Sequence, residues 1–383
     1  MHSSIPIVAP DVAANVIILA DDLTGACDSA VAFLKTGRTV RVVLDATRID
    51  AASLQRDIRE QGPAVWAFTT ESRGLSEVDA AESVAKYITA LAPTLQESIF
   101  FKKMDSAARG HLAAETIAAL QTTGAALAVV APAFPYAGRT VQSAILRVCD
   151  SSGQDATISL RELFPQMNSA HIHSLPVATE SQLEQGISRA IANGTRILIC
   201  DAETQVDLDR LASAAYRSLH QILWTGSAGL AHALASALPG LPAKAAPHAP
   251  HRDGQTLLFV GTLHPVTRRQ LAHLNPYPDP LDRTVHSVRF DPQFMHEIRV
   301  TFAAAPVAAL ILTGGDTASF VLRALDAATL VLAGEMTPGI PWGWIEGGVA
   351  DGCIVITKSG GFGEPNSLAE AFEFCTRRQC EPA

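Results

Sequence analysis

Asn15-Val16-Ile17-Ile18-Leu19-Ala20-Asp21-Asp22-Leu23-Thr24-Gly25-Ala26-Cys27-Asp28 joins a short apolar run to an acidic turn and then to residues with helical spacing. The apolar run, Val16 to Ala20, has the length of a strand buried on both faces rather than that of a helix. In open parallel α/β sheets, ligands collect at the carboxyl ends of strands. Carboxylates on the first residues after such a strand therefore belong to a ligand crevice, although Asp21 or Asp28 at a helix start also suits a cap.

The same unit recurs along the first half: apolar run, polar loop, alanine-rich helical stretch. Strands are expected at Val16 to Ala20, Thr39 to Leu44, Ala64 to Thr69, Ser98 to Lys102, Leu127 to Ala131, Arg196 to Cys200 and Gln221 to Thr225. Helices are expected at Ala26 to Lys35, Glu77 to Leu91 and Leu112 to Gln121. From Leu234 to Gly254 the sequence turns rich in proline and alanine and loses its period, which reads as a linker. Strands resume at Thr256 to Val260, Ala308 to Leu312 and Cys353 to Thr357. The expected fold is α/β in two domains, 1–240 and 255–383 joined by a linker at 241–254. Each is a mainly parallel sheet flanked by helices, with the active site in the interdomain cleft.

At 383 residues the chain is long enough for two cores, and 48% hydrophobic with 17% charged residues is a globular composition. A net charge of −9 gives no general attraction to nucleic acid or anionic membrane, so neither is an expected partner. The longest apolar runs, such as Ala303 to Leu312 around Pro306, fall short of the roughly 18 residues of a membrane helix. Met1-His2-Ser3-Ser4 lacks a secretory signal and the six cysteines are scattered, so a reduced cytoplasm is expected. Cys375 and Cys380 have no His or Cys partners at zinc spacing, and the sequence assigns no metal ligand.

In the first domain polar groups follow four strands. Asp21-Asp22 follows the first, Glu71-Ser72-Arg73 the third, Lys103 to Gly110 the fourth, and Pro132 to Thr140 the fifth. If these strands are parallel neighbours, Asp22, Arg73, Lys103, Asp105, Ser106, Arg109 and Arg139 share one edge. That mixed set suits a small polyhydroxylated acid, because arginine presents a donor fork to a carboxylate and aspartates accept from hydroxyls. Any one of them also has an ordinary alternative, a helix cap for an aspartate or a solvated surface for Arg139.

In the second domain strands lead instead into Gly261-Thr262-Leu263-His264, Thr313-Gly314-Gly315-Asp316-Thr317 and Lys358-Ser359-Gly360-Gly361-Phe362-Gly363. Glycine between a strand and a helix start lets backbone N–H groups approach an anion, and Lys358 beside Ser359, Gly360 and Gly361 suits a polyphosphate. The Gly-x-x-x-x-Gly-Lys-Ser/Thr string, the Gly-x-Gly-x-x-Gly fingerprint and the Gly-x-Ser-x-Gly elbow are all absent.

These motifs, with Lys102-Lys103-Met104-Asp105-Ser106, Ala131-Pro132-Ala133-Phe134-Pro135, Gly138-Arg139-Thr140 and Pro338-Gly339-Ile340-Pro341, resemble those of the four-carbon acid sugar kinases over nearly the whole chain. The resemblance implies ATP-dependent phosphorylation of D-threonate or D-erythronate at the terminal hydroxyl to the 4-phosphate, with Mg2+ bridging the phosphates. It implies that Asp22, Arg73 and Lys103, Met104, Asp105 and Ser106 contact the sugar acid. ATP would meet Thr262 to His264, Gly314, Gly315, Asp316, Thr317 and Gly360. Asp22, Asp105 and Asp316 are the candidates for proton acceptance. Gly261-Thr262-Leu263-His264 stands where the family has Gly-Ser-Cys-Ser, Ala107-Ala108 where Thr-Leu is common, and the stretch from this loop to Gly314 is shorter than usual. The alternatives are a 3-oxo-tetronate kinase, a ribokinase-type sugar kinase, and a sugar-acid-binding regulator without transfer; a homo-oligomer is compatible with all of them.

Overall fold

Val16 to Ala20 is buried at every position, as a parallel strand covered on both faces must be. In the computed structural model, which describes residues 14–44, 56, 63–95, 98–149, 155–165, 167–216, 222–242, 249–274 and 283–380, it lies within β1 (Asn15–Ala20). The strands that follow are β2 (Thr39–Val43), β3 (Ala64–Thr69), β4 (Ser98–Lys103), β5 (Leu127–Ala131), β6 (Arg139–Gln142), β7 (Ile145–Cys149), β8 (Asp155–Ser159) and β9 (Ile172–Leu175). Then come β10 (Ile197–Cys200), β11 (Ile222–Gly226), β12 (Gln255–Val260), β13 (Arg283–Ser287), β14 (Val307–Thr313), β15 (Thr329–Glu335), β16 (Pro341–Glu346) and β17 (Ile354–Lys358). The helices are α1 (Leu23–Ala30), α2 (Glu77–Leu95), α3 (Leu112–Thr123), α4 (Glu180–Ala192), α5 (Gln205–Tyr216), α6 (Ala228–Ala237), α7 (Pro265–Leu274), α8 (Pro292–Ala304), α9 (Gly315–Ala324) and α10 (Ser367–Cys380).

The described residues fall into two compact units, one holding 14–39 and those from 56 to 242, the other 40–44 and 249–380. In the first, seven parallel strands run in the order β3-β1-β4-β11-β5-β10-β9. Phe33, Phe68, Phe101 and Trp224 fill its core. Three of the four polar strand ends, after β3, β1 and β4, are therefore contiguous, whereas β11 intervenes before β5. A small antiparallel sheet, β6-β7-β8, was not expected from the sequence.

In the second unit β13-β12-β14-β17 are parallel, and β16, β15 and β2 extend the sheet antiparallel. Its core packs Leu258, Ile311 and Ile356 against Leu368 and Phe372 of α10. The strand expected at Thr39 to Leu44 exists, but it pairs with β15, Val42 opposite Leu330. The linker expectation at 241–254 lies partly outside the described residues. Of its described part, Leu241 N–H donates to the Thr36 carbonyl of the first unit, and Arg252 donates to Val307 and Asp351 carbonyls of the second.

Candidate active site

Ala20 stands opposite Thr69, and Leu19 opposite Lys102, so β3, β1 and β4 end level with one another. The helix after β1 begins at Leu23, not at Ala26 as the spacing suggested, because Asp22 caps it through Gly25 N–H at 2.9 Å. Capping and site membership coincide in this residue. Asp22 Oδ1 also meets Arg73 at 3.0 Å, while Oδ2 accepts from Thr24 Oγ1 at 2.7 Å and from Arg73 at 3.0 Å. Gly25 is glycine for a steric reason, since a Cβ there would lie 2.6 Å from Asp22 Oδ1 and 2.7 Å from Lys103 Nζ.

Arg73 sits in a short turn entered through Glu71, whose φ of 49° is in the left-handed region. Its guanidinium donates to Asp21 Oδ2 at 2.8 Å and reaches Asp105 Oδ1 at 3.4 Å. Asp105 has both oxygens engaged: Arg109 binds it in a fork at 2.7 and 2.9 Å, and the N–H groups of Ala107 and Arg109 add to Oδ2. Burial pushes this carboxyl up, but Arg109, Arg73 and Lys103 outweigh it and hold it well below the usual carboxylate range. Asp21 behaves oppositely. Burial pushes its carboxyl up against the pull of Arg73, and its Oδ1 is a buried oxygen without a hydrogen-bond partner among the described residues.

Asp21, Asp22, Arg73, Lys103, Asp105 and Arg109 are thus brought together; Ser106 is buried in the adjoining turn, and Met104 N–H donates to the Gly226 carbonyl at 2.9 Å. Arg139 opens β6 beyond the fifth strand, and its guanidinium donates to the Ala137 carbonyl. β5 runs parallel in the same sheet as β4, with β11 between them.

In the second unit the three glycine loops meet. A Cβ on Gly360 would lie 2.6 Å from Thr262 Oγ1, and one on Gly314, at φ 103°, 3.3 Å from Thr317 Oγ1. His264 Nδ1 accepts from Val266 N–H at 3.2 Å, and its ring would lie 3.2 Å from a Cβ on Gly361. His264 N–H in turn donates to Thr262 Oγ1. Asp316 is exposed in the first turn of α9.

Lys358 is turned inward. It is 1% exposed, and its ammonium donates to the Ser359 and Phe362 carbonyls and Thr267 Oγ1 at 3.0–3.2 Å. Burial pushes it down to about 7. The expectation of an ammonium presented to phosphate is corrected accordingly. Thr267 donates to the Gly360 carbonyl and Gln270 to those of Phe362 and Glu364. Because C=O and N–H point oppositely across a trans peptide, carbonyls held from the α7 side turn the N–H groups of Gly360, Gly361 and Gly363 away from it.

Sequence reasoning missed Thr267 and Gln270, which carry no local mark. It placed Asp21 in the crevice turn but gave it no role, and it missed Glu115, a carboxylate on the buried face of α3, where burial demands a cation.

One unit gathers carboxylates and cations at its strand ends and the other gathers glycine loops, each the place where ligands bind in open α/β enzymes. Residues 16–234 match the sugar-binding N-terminal domain model and 292–368 the nucleotide-binding C-terminal domain model. The chain belongs to the four-carbon acid sugar kinase family. It is 30% identical to a D-threonate kinase of Bordetella bronchiseptica, over 94% of this chain and 98% of that one. It is 31% identical to a D-erythronate kinase of Heliobacterium modesticaldum, over 67% and 59%. A crystal structure from Salmonella typhimurium LT2 shares the fold, with a TM-score of 0.70 at 18% identity over 93% of this chain and 98% of the other. No described helix is long and apolar enough to cross a membrane.

Proposed function

We propose that this chain transfers a phosphoryl group from ATP to the terminal hydroxyl of a four-carbon sugar acid of the D-threonate or D-erythronate type, giving the 4-phosphate. The observation that carries the reading is the cluster of Asp21, Asp22, Arg73, Lys103, Asp105 and Arg109 at three adjacent strand ends, in a chain similar to D-threonate kinases. Arg73 and Lys103 neutralise the acid's carboxylate, and Asp22, its own oxygens taken by Gly25, Thr24 and Arg73, holds the Arg73 fork in place for it.

Asp21 is the proton acceptor in this reading. A base needs an oxygen free to take the proton; Asp22 and Asp105 have theirs occupied, whereas the buried Asp21 Oδ1 has no hydrogen-bond partner among the described residues and its carboxyl is raised by burial. The N–H groups of Gly360 and Gly361, with Thr262, Gly314, Gly315 and Thr317, receive the polyphosphate. The donor set fits magnesium held largely through phosphates, since the carboxylates beside those loops, Asp316 and Glu364, are exposed. Magnesium, when bound, neutralises phosphate charge.

The test is ADP release over D-threonate, D-erythronate, their L forms and 3-oxo-tetronates. Turnover is expected with at least one D acid, and no signal with any acid would sink the reading. Turnover confined to a keto acid would move the substrate to the 3-oxo-tetronates.

A further inference from the structure

Behind the charged cluster lies a second buried ionic group. Glu115 of α3 is 3% exposed, and its two oxygens have different partners: Oε2 pairs with Lys102 Nζ at 2.7 Å, and Oε1 accepts from Ser72 Oγ at 2.6 Å. Lys102 Nζ also donates to the Lys103 carbonyl at 2.7 Å. Ser72 N–H donates to the Asp21 carbonyl at 3.1 Å, and Ser72 Oγ lies 2.6 Å from Thr70 Oγ1, which donates to the Ala20 carbonyl. One carboxylate is thereby tied to the backbone at the ends of β1, β3 and β4.

A buried ion pair is weak evidence for stability, because desolvation of both charges opposes their attraction and well-packed apolar replacements are often as stable. What this one does do is fix the neighbours of Asp21, Arg73 and Lys103. We infer that Glu115, acting through Lys102 and Ser72, is a positioning residue that sets the spacing of the sugar-acid cluster. The inference rests on the functional reading above and assigns Glu115 no contact with substrate.

The experiment compares Lys102→Met combined with Glu115→Leu, and separately Ser72→Ala, with the wild-type chain. Wild-type turnover is measured first; its absence would defeat the kinase reading and take this inference with it. The double variant is expected to melt within a few degrees of wild type, yet to lose on the order of 100-fold in kcat/KM for the acid, the effect of a small misplacement of binding groups. The nucleotide KM should hold, because its loops lie on the other unit. Ser72→Ala should raise the acid KM about tenfold with the nucleotide KM unchanged. A folded double variant with wild-type kinetics, or a nucleotide KM that rises as much as that of the acid, would overturn the inference. Should the double variant fail to fold, Ser72→Ala decides by the same two readings.

Discussion

Arg73 meets Asp21, Asp22 and Asp105 at once, so three carboxylates share one cation while each has different further partners. Asp105 is held below the usual range by Arg109, Arg73 and Lys103, so its ionised form adds stability above about pH 4, lost as pH falls through the depressed folded value. Asp21 has the opposite sign: raised by burial, its ionised form costs stability above the ordinary value, and acid relieves that cost. Asp105→Asn should therefore be destabilised near neutral pH by roughly 1–3 kcal/mol, with the gap closing below about pH 4. The figure sits under that of a fully buried pair because the Arg109 side chain is 58% exposed. Asp21→Asn should melt at or above wild type near neutral pH while kcat falls by about 10²–10⁴-fold. Thermal melts against pH, with kcat measured alongside, check both, and an Asp21→Asn less stable than Asp105→Asn would contradict the assignment.

At the scale of the element, α7 governs the glycine loop. Thr267 and Gln270 lie one turn apart on α7, and with Lys358 they take the carbonyls of Ser359, Gly360, Phe362 and Glu364. Lys358→Met keeps length and apolar packing but removes the ammonium that holds the Ser359 and Phe362 carbonyls. The expected result is a melting temperature within a few degrees of wild type and a nucleotide KM raised about tenfold or more, with the acid KM unchanged. A pH signature accompanies it. Burial lowers Lys358 to about 7. From there to the ordinary value of about 10.4 the unfolded chain binds the extra proton, so wild-type stability rises with pH relative to Lys358→Met. Parallel stability curves over that range would contradict this.

The glycine loops themselves were legible because glycine at a strand end leaves a local mark, as did the both-face burial of β1, β3 and β14. The contact of Gln270 with Phe362, 92 residues on, leaves none. β15 and β16 escaped notice as well: Gly334, Gly343 and Pro341 break the alternation that marks a strand, and the two elements pair antiparallel with a bulge between Leu332 and Gly334.

For the whole molecule, the path of the chain matters more than any one contact. Val40 to Leu44 belongs to the second unit, yet the chain then returns to complete the first before the rest of the second is made. β2 covers the side of β15 not taken by β16, with Val42 opposite Leu330, Leu44 N–H on the Ala328 carbonyl, and Arg41 on Glu346 at 3.1 Å. Residues about three hundred positions apart must therefore meet, as Arg41 and Glu346 are separated by 305. Such pairing is slow, and until it forms the Thr329-Leu330-Val331-Leu332 stretch has an open ladder on one side, apolar and uncharged. Val42→Pro removes the N–H at the centre of β2 and should cost about 1–3 kcal/mol, the penalty of a buried ladder partner left unpaired. Refolding by dilution should then show a slower final phase and light scattering that rises with protein concentration, while wild type refolds clear at the same concentrations. Unchanged stability and clear refolding of Val42→Pro would mean that β15 does not depend on this early strand.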